Sequence, residues 1–187
     1  MKDTKICVIG LGYVGLPLAR LFSTKFETIG FDMNQARVDA LMTGHDATLE
    51  VSDDLLHDAI KNHGFRCTTN LEKIKKCNFY VVAVPTPVDA DNRPDLRPLW
   101  GASETVGKVI SKGDVVVYES TVYPGVTEEE CLPVVERVSG FRPPLVGQPC
   151  RTAYCPYGLI QNPSPSGPTP NESSYFCSLP TKDTLFE

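Results

Sequence analysis

"KICVIGLGYVG", residues 5–15, starts as an unbroken apolar run and then breaks into three spaced glycines. Lys5 to Ile9 shows no alternation with polar residues, which is the pattern of a strand buried on both faces. Gly10, Gly12 and Gly15 follow at the G-x-G-x-x-G spacing. In that spacing the first glycine permits a tight turn out of the strand. The second lets a pyrophosphate approach the main chain, and the third lets a helix pack closely on the strand. Val14, Leu18, Leu21 and Phe22 recur at helical spacing and predict a helix that packs back on the strand. Pro17 lies close enough to the start of that helix to be tolerated.

The same alternation continues outward. "ETIGFD" (27–32) predicts a second strand, and "NQARVDALMTG" (34–44) a helix capped by Asn34 and stopped by Gly44. "DDLLHDAIKNHG" and "NLEKIKKC" read as helices, "NFYVVAV" as a third or fourth buried strand, and "ASETVGKVISKG" as a helix. "DVVVYES" is a further strand, and "TEEECLPVVERVSG" a last helix ending at Gly140. Strands alternating with helices predict an α/β fold, a Rossmann-like doubly wound parallel sheet over residues 1–140.

Three glycines alone also serve as turn punctuation. Here they follow a strand, open a helix and are answered by Asp32 at the end of the next strand, about 20 residues on, which is the dinucleotide-binding pattern. A carboxylate at that place accepts from the adenosine ribose hydroxyls and repels a 2′-phosphate, so NAD is expected rather than NADP. Arg37 tempers the preference, because a nearby guanidinium can meet a phosphate. The loop residues Tyr13 and Val14 join Gly10, Gly12, Gly15, Asp32 and Arg37 as cofactor-site candidates. Two strand exits add Thr86, in "VAVPTPVDADNRPDL" (82–96), and Ser120 and Thr121, in "YESTVYPGVTEEE" (118–130). For Thr86 and Thr121 a local backbone-capping role is the competing reading.

Composition limits the rest. A chain of 187 residues with 41% hydrophobic residues can bury a real core, and a net charge of −5 argues against a nucleic-acid partner. No stretch approaches the about 20 apolar residues that span a bilayer, and the N-terminal apolar run is short and broken by glycines, so no membrane association and a cytoplasmic location are expected. The seven cysteines are odd in number; Cys7, Cys67, Cys77 and Cys131 are widely spaced and read as reduced thiols. Cys150, Cys155 and Cys177 match no zinc spacing, and no metal is expected. His45, His57 and His63 fall in or beside surface helices, and no catalytic base is assigned.

"KICVIGLGYVGLPLA", "GFD", "VVAVPTPVD" with "PDL" after it, and "ESTVYPGVTEE" together resemble the N-terminal NAD-binding domain of the UDP-glucose/GDP-mannose dehydrogenase family. The likeness runs from about Lys5 to Gly140 and points to the bacterial branch that oxidises UDP-N-acetylhexosamines to uronic acids for surface polysaccharides. It implies that Gly10, Gly12, Gly15 and Asp32 hold NAD, and that Thr86 lines the cofactor site. It also implies that Thr121 sits near the nicotinamide and the reacting sugar carbon, with an auxiliary catalytic part in positioning water. That family oxidises a primary alcohol to a carboxylate with two NAD molecules. The chemistry needs a thiolate to trap the aldehyde, a general base and oxyanion stabilisers, which the family supplies after its first domain as a glutamate, a lysine, an asparagine and a cysteine with an aspartate nearby. Those motifs are not found in this sequence, so a UDP-sugar substrate is expected only for a complete enzyme. The hydroxyacid and 6-phosphogluconate dehydrogenases share the glycine motif but lack the "VPTP" and "STVYPG" pair.

After Gly140 the residue usage changes. Residues 141–187 carry nine of the 16 prolines and include "NPSPSGPTPNESS", a low-complexity run that buries too little surface to offset its ordering entropy. The expectation is a disordered or frameshifted tail. The chain would then be the NAD-binding part of a dehydrogenase, inactive alone and prone to associate through the domain face a second domain would cover. The alternative is a non-catalytic NAD-binding module acting through a partner.

Overall fold

The structure, a computed structural model, describes residues 4–88, 91 and 93–141. Five strands, β1 (Lys5–Ile9), β2 (Glu27–Phe31), β3 (Arg66–Thr68), β4 (Phe79–Val82) and β5 (Val115–Tyr118), form one sheet in the order β3-β2-β1-β4-β5. Every pairing is parallel. The chain builds outward from β1 to β3, then crosses back to lay β4 on the other side of β1. The carboxyl ends of β1 and β4, in register at Ile9 and Val82, therefore flank the point where the winding reverses. Crevices for ligands open at such a point in doubly wound sheets.

Helices α1 (Gly15–Ser23), α2 (Gln35–Met42) and α3 (Asp53–Asn62) cover one face, and α4 (Leu71–Ile74), α5 (Arg97–Val109) and α6 (Leu132–Ser139) the other. Strand alternation divides the core. Ile6 and Val8 of β1 pack with Leu16, Leu41, Leu56 and Phe65, while Cys7 and Ile9 pack with Tyr80, Leu99, Val106 and Cys131. The fully buried Tyr80 donates its hydroxyl to the Cys77 carbonyl at 2.9 Å, so its burial leaves no polar atom stranded.

Asn34 caps α2 as expected, its Oδ1 accepting from Arg37 N, and Gly44 ends it with φ +88°. Four expectations need correction. The buried side of α1 is Gly15, Leu16, Ala19 and Ser23, whereas Val14 and Leu21 are exposed and Leu18 and Phe22 half-buried. Gly15 and Ala19 let the helix lie close to the sheet, with Leu16 filling the contact between them, and the other bulky side chains sit toward its rim. The strand β3 has three residues and escaped a reading by hydrophobic runs. The segment "NLEKIKKC" gives only the one-turn α4. Ahead of α6, residues Thr127–Cys131 form a π-helical turn in which Leu132 N donates to Thr127 O. Pro133, with no N–H to give, enforces the change of ladder there.

The four cysteines of the described residues are buried and unpaired by disulfides. Among the described residues no helix is long and apolar enough to cross a membrane, and no three His, Cys, Asp or Glu side chains gather into a metal-holding group. The expectations for residues 142–187, including Cys150, Cys155 and Cys177, lie outside the described residues.

Candidate dinucleotide-binding site

The glycine loop joins β1 to α1, and its three glycines are constrained differently. Gly10 has φ +91°, and a side-chain carbon there would lie 2.9 Å from the Ala83 carbonyl oxygen. At Gly15 such a carbon would collide with the Gly10 carbonyl. Both positions are therefore closed by the fold itself. Gly12 has an ordinary φ and nothing within 4 Å of where its side chain would begin. Its open side belongs to whatever approaches the loop. No side chain caps the N-terminus of α1; Leu16 N and Leu18 N donate to the Gly12 and Val14 carbonyls at 3.2 and 3.3 Å and Pro17 has no N–H, so what the helix start offers an anion is chiefly the positive end of its dipole.

Asp32 follows β2 and stands beside this loop. Its Oδ2 accepts from Leu11 N and its Oδ1 from Asn34 N, each at 2.9 Å. These bonds fix the carboxylate's orientation at the rim of a cleft of about 190 Å³ lined by Gly10, Asp32, Met33, Val84, Pro85 and Thr105, among others. Tyr13 and Val14 are exposed on the loop, Tyr13 with 69% of its surface free. The structure thus brings Gly10, Gly12, Tyr13, Val14, Gly15 and Asp32 to one corner of the sheet.

Arg37 is turned inward. Its Nε and Nη2 donate to the Leu11 carbonyl at 3.0 and 2.9 Å, and Nη2 pairs with Asp46 Oδ1 at 2.7 Å. Asp46, which sequence reading passed over, has a fully buried side chain. It accepts from Thr48 N and Oγ1 and from Glu50 N and Val51 N. Burial by itself would raise this carboxyl, but the bonds from Thr48, Val51 and Arg37 outweigh it and hold the group well below the usual carboxylate range. A carboxyl depressed in the folded state lends stability above its unfolded value, near pH 4, and loses it as the pH falls toward the folded value. The expected result is a steep acid limb in the stability curve, flattened in Asp46→Asn, as read by thermal melts between about pH 3 and 7.

The hydroxyl candidates sit across the switch point. Thr86 Oγ1 donates to the Thr121 carbonyl at 2.6 Å, and Ser120 Oγ to the Val84 carbonyl at 2.7 Å. These two bonds staple the loops leaving β4 and β5: each hydroxyl holds the backbone of the neighbouring loop, where the sequence offered Thr86 only a local cap as the competing role. The staple presents Thr121 exposed at the carboxyl end of β5. Beside it, burial raises the Glu119 carboxyl. Burial pushes the Cys67 thiol up to about 12 and Cys131 up to about 11, whereas a bond with Cys7 lowers the buried Cys77.

A parallel sheet ordered β3-β2-β1-β4-β5, with an open glycine in the first loop, a helix start free of side-chain caps and a fixed carboxylate near its switch point, defines a Rossmann-type dinucleotide-binding domain. Residues 4–159 match the family model described as UDP-glucose/GDP-mannose dehydrogenase family, NAD binding domain; the chain belongs to that family and NAD is its cofactor. The match runs past Gly140, where the sequence reading ended the resemblance. UDP-N-acetyl-D-glucosamine 6-dehydrogenase of Pseudomonas aeruginosa is 54% identical over 142 residues, which cover 76% of this chain and 33% of that protein. The Salmonella typhi protein of the same name is 52% identical over 141 residues, 75% of this chain and 32% of its own length. Among solved structures, the UDP-D-ManNAc dehydrogenase of Pyrococcus horikoshii superposes with a TM-score of 0.69 at 32% identity, covering 74% of this chain and 33% of that one. The chain thus spans about a third of the length of the curated relatives it matches.

The site fits the cofactor. Gly12 leaves room for a pyrophosphate beside the uncapped start of α1, and Asp32 offers an acceptor of the kind ribose hydroxyls require.

Proposed function

We propose that this domain holds NAD for the oxidation of a UDP-N-acetylhexosamine primary alcohol to a uronic acid, a building block for surface polysaccharides, and does not complete that oxidation alone. Gly12, with Tyr13 and Val14 beside it, meets the pyrophosphate on the turn that Gly10 and Gly15 shape, Asp32 binds the adenosine ribose, and Thr121 lies toward the nicotinamide and helps to position water. Thr86 and Ser120 act on the cofactor through the loops they hold. When bound, NAD supplies a hydride acceptor. The protein's part is to orient that acceptor against the sugar.

The reading is carried by the contrast between Gly12, open beside a fixed Asp32, and its two enclosed neighbours. Its incompleteness is supported by the thiols. Double oxidation calls for an accessible, reactive thiolate, and among the described residues Cys7, Cys67, Cys77 and Cys131 are all buried, Cys77, the one whose pKa is lowered, included. On β5, Val115 and Val117 alternate with residues packed on the α5 side and stay half-buried on the opposite face, where association with further protein is proposed. The test is incubation of the purified chain with NAD and UDP-N-acetylglucosamine. No NADH is expected to appear, whereas NADH added directly binds. Steady turnover would overturn the incompleteness, and failure to bind NADH would overturn the site.

A further inference from the structure

The Asp46 network lies outside the glycine motif yet reaches it through one side chain. Both polar groups of Leu11, the residue between the first two glycines, are held by ionised side chains. Its N–H donates to Asp32, and its carbonyl accepts two bonds from Arg37. Arg37 is in turn held by Asp46, and Asp46 by four donors of the 46–51 turn. The Arg37 side chain is only 12% exposed, and its remaining nitrogen, Nη1, is buried with no hydrogen-bond partner. Nε and Nη2 are thus committed inward, and the unpaired Nη1 is enclosed with them. Leu49, in the same turn, takes φ +59° while its side chain stays exposed, a backbone strain that the Asp46 acceptor set maintains.

We propose that Asp46 is a positioning residue for cofactor choice: by anchoring Arg37 on the Leu11 carbonyl it sets the glycine loop for NAD and withholds the guanidinium from a 2′-phosphate. The effect has two parts. Anchoring fixes the peptide units around Leu11 before the dinucleotide arrives, which lowers the ordering cost of binding. Withholding removes the one nearby cation able to compensate the repulsion between Asp32 and a 2′-phosphate. The inference rests on the cofactor occupying the cleft as proposed above.

The test titrates the whole chain with NADH and with NADPH, for the wild type, Asp46→Asn, Arg37→Lys and a core control, Leu56→Ala, each with a melting curve. Asp46→Asn is expected to weaken NADH about tenfold while NADPH is unchanged or tightened, so the ratio between them narrows. Arg37→Lys keeps a charge for Asp46 but has no planar fork to divide between two acceptors. It is expected to lose NADH affinity by a similar factor, and combining the two changes should add little. Leu56→Ala should lower the melting temperature and leave the NADH to NADPH ratio alone. A wild-type ratio in Asp46→Asn would overturn the proposal, and so would an equal loss for both cofactors. Should Asp46→Asn not fold, Arg37→Lys decides by the same measure. A wild-type chain that binds neither nucleotide would overturn both this inference and the site.

Discussion

Gly15→Ala is expected to cost about 3 kcal/mol or more of folding stability, because its new carbon meets main chain instead of a side chain that can move aside. The group in the way is the Gly10 carbonyl, with the Ala83 side chain 3.3 Å away behind it. Relief requires α1 to lift from the sheet, and that contact is made by Leu16 and Ala19, both fully buried. At roughly 3 °C per kcal/mol for a domain of this size, the melting temperature should fall by about 9 °C or more. A fall of only about 2 °C, within the range of ordinary surface changes, would mean that the loop and helix are less tightly joined than the geometry says.

Gly12→Val is expected to do the reverse. The position has ordinary φ and open space, so the variant should fold and melt close to the wild type. The added methyl groups occupy the approach to the loop, and NADH affinity should drop by at least about a hundredfold, roughly 2.7 kcal/mol. Two glycines three residues apart thus separate stability from binding. Large destabilisation by Gly12→Val, or wild-type affinity in it, would show that the ligand does not come in along this loop.

Much of this corner was legible because its constraints are local. A buried strand, three spaced glycines and a carboxylate one strand later follow from residue type and spacing alone. The Asn34 cap and the Gly44 stop were legible for the same reason. What escaped depends on three-dimensional closeness. The face of α1 was misjudged because Gly15 and Ala19 win the contact by being small, while periodicity counts bulky residues. The three-residue β3 is held by pairing with β2 through Ile29, Gly30 and Phe31. Asp46 is nine residues from Arg37 in the chain, and its only sequence signal was an Asp-x-Thr turn. Thr86 and Ser120 offered hydroxyls at the right strand ends, but nothing in the sequence showed that each would bond to the neighbouring loop. Arg37 was read as a group open to a phosphate, and its inward turn depends on a partner the motif does not contain.

The most direct test of the account is calorimetric titration of the purified chain with NADH, run beside Gly12→Val at matched melting temperature. Saturable binding near one nucleotide per chain in the wild type, lost in the variant, is the predicted result. Absence of binding in the wild type, or equal binding in both, would contradict the assignment of the cofactor to this loop.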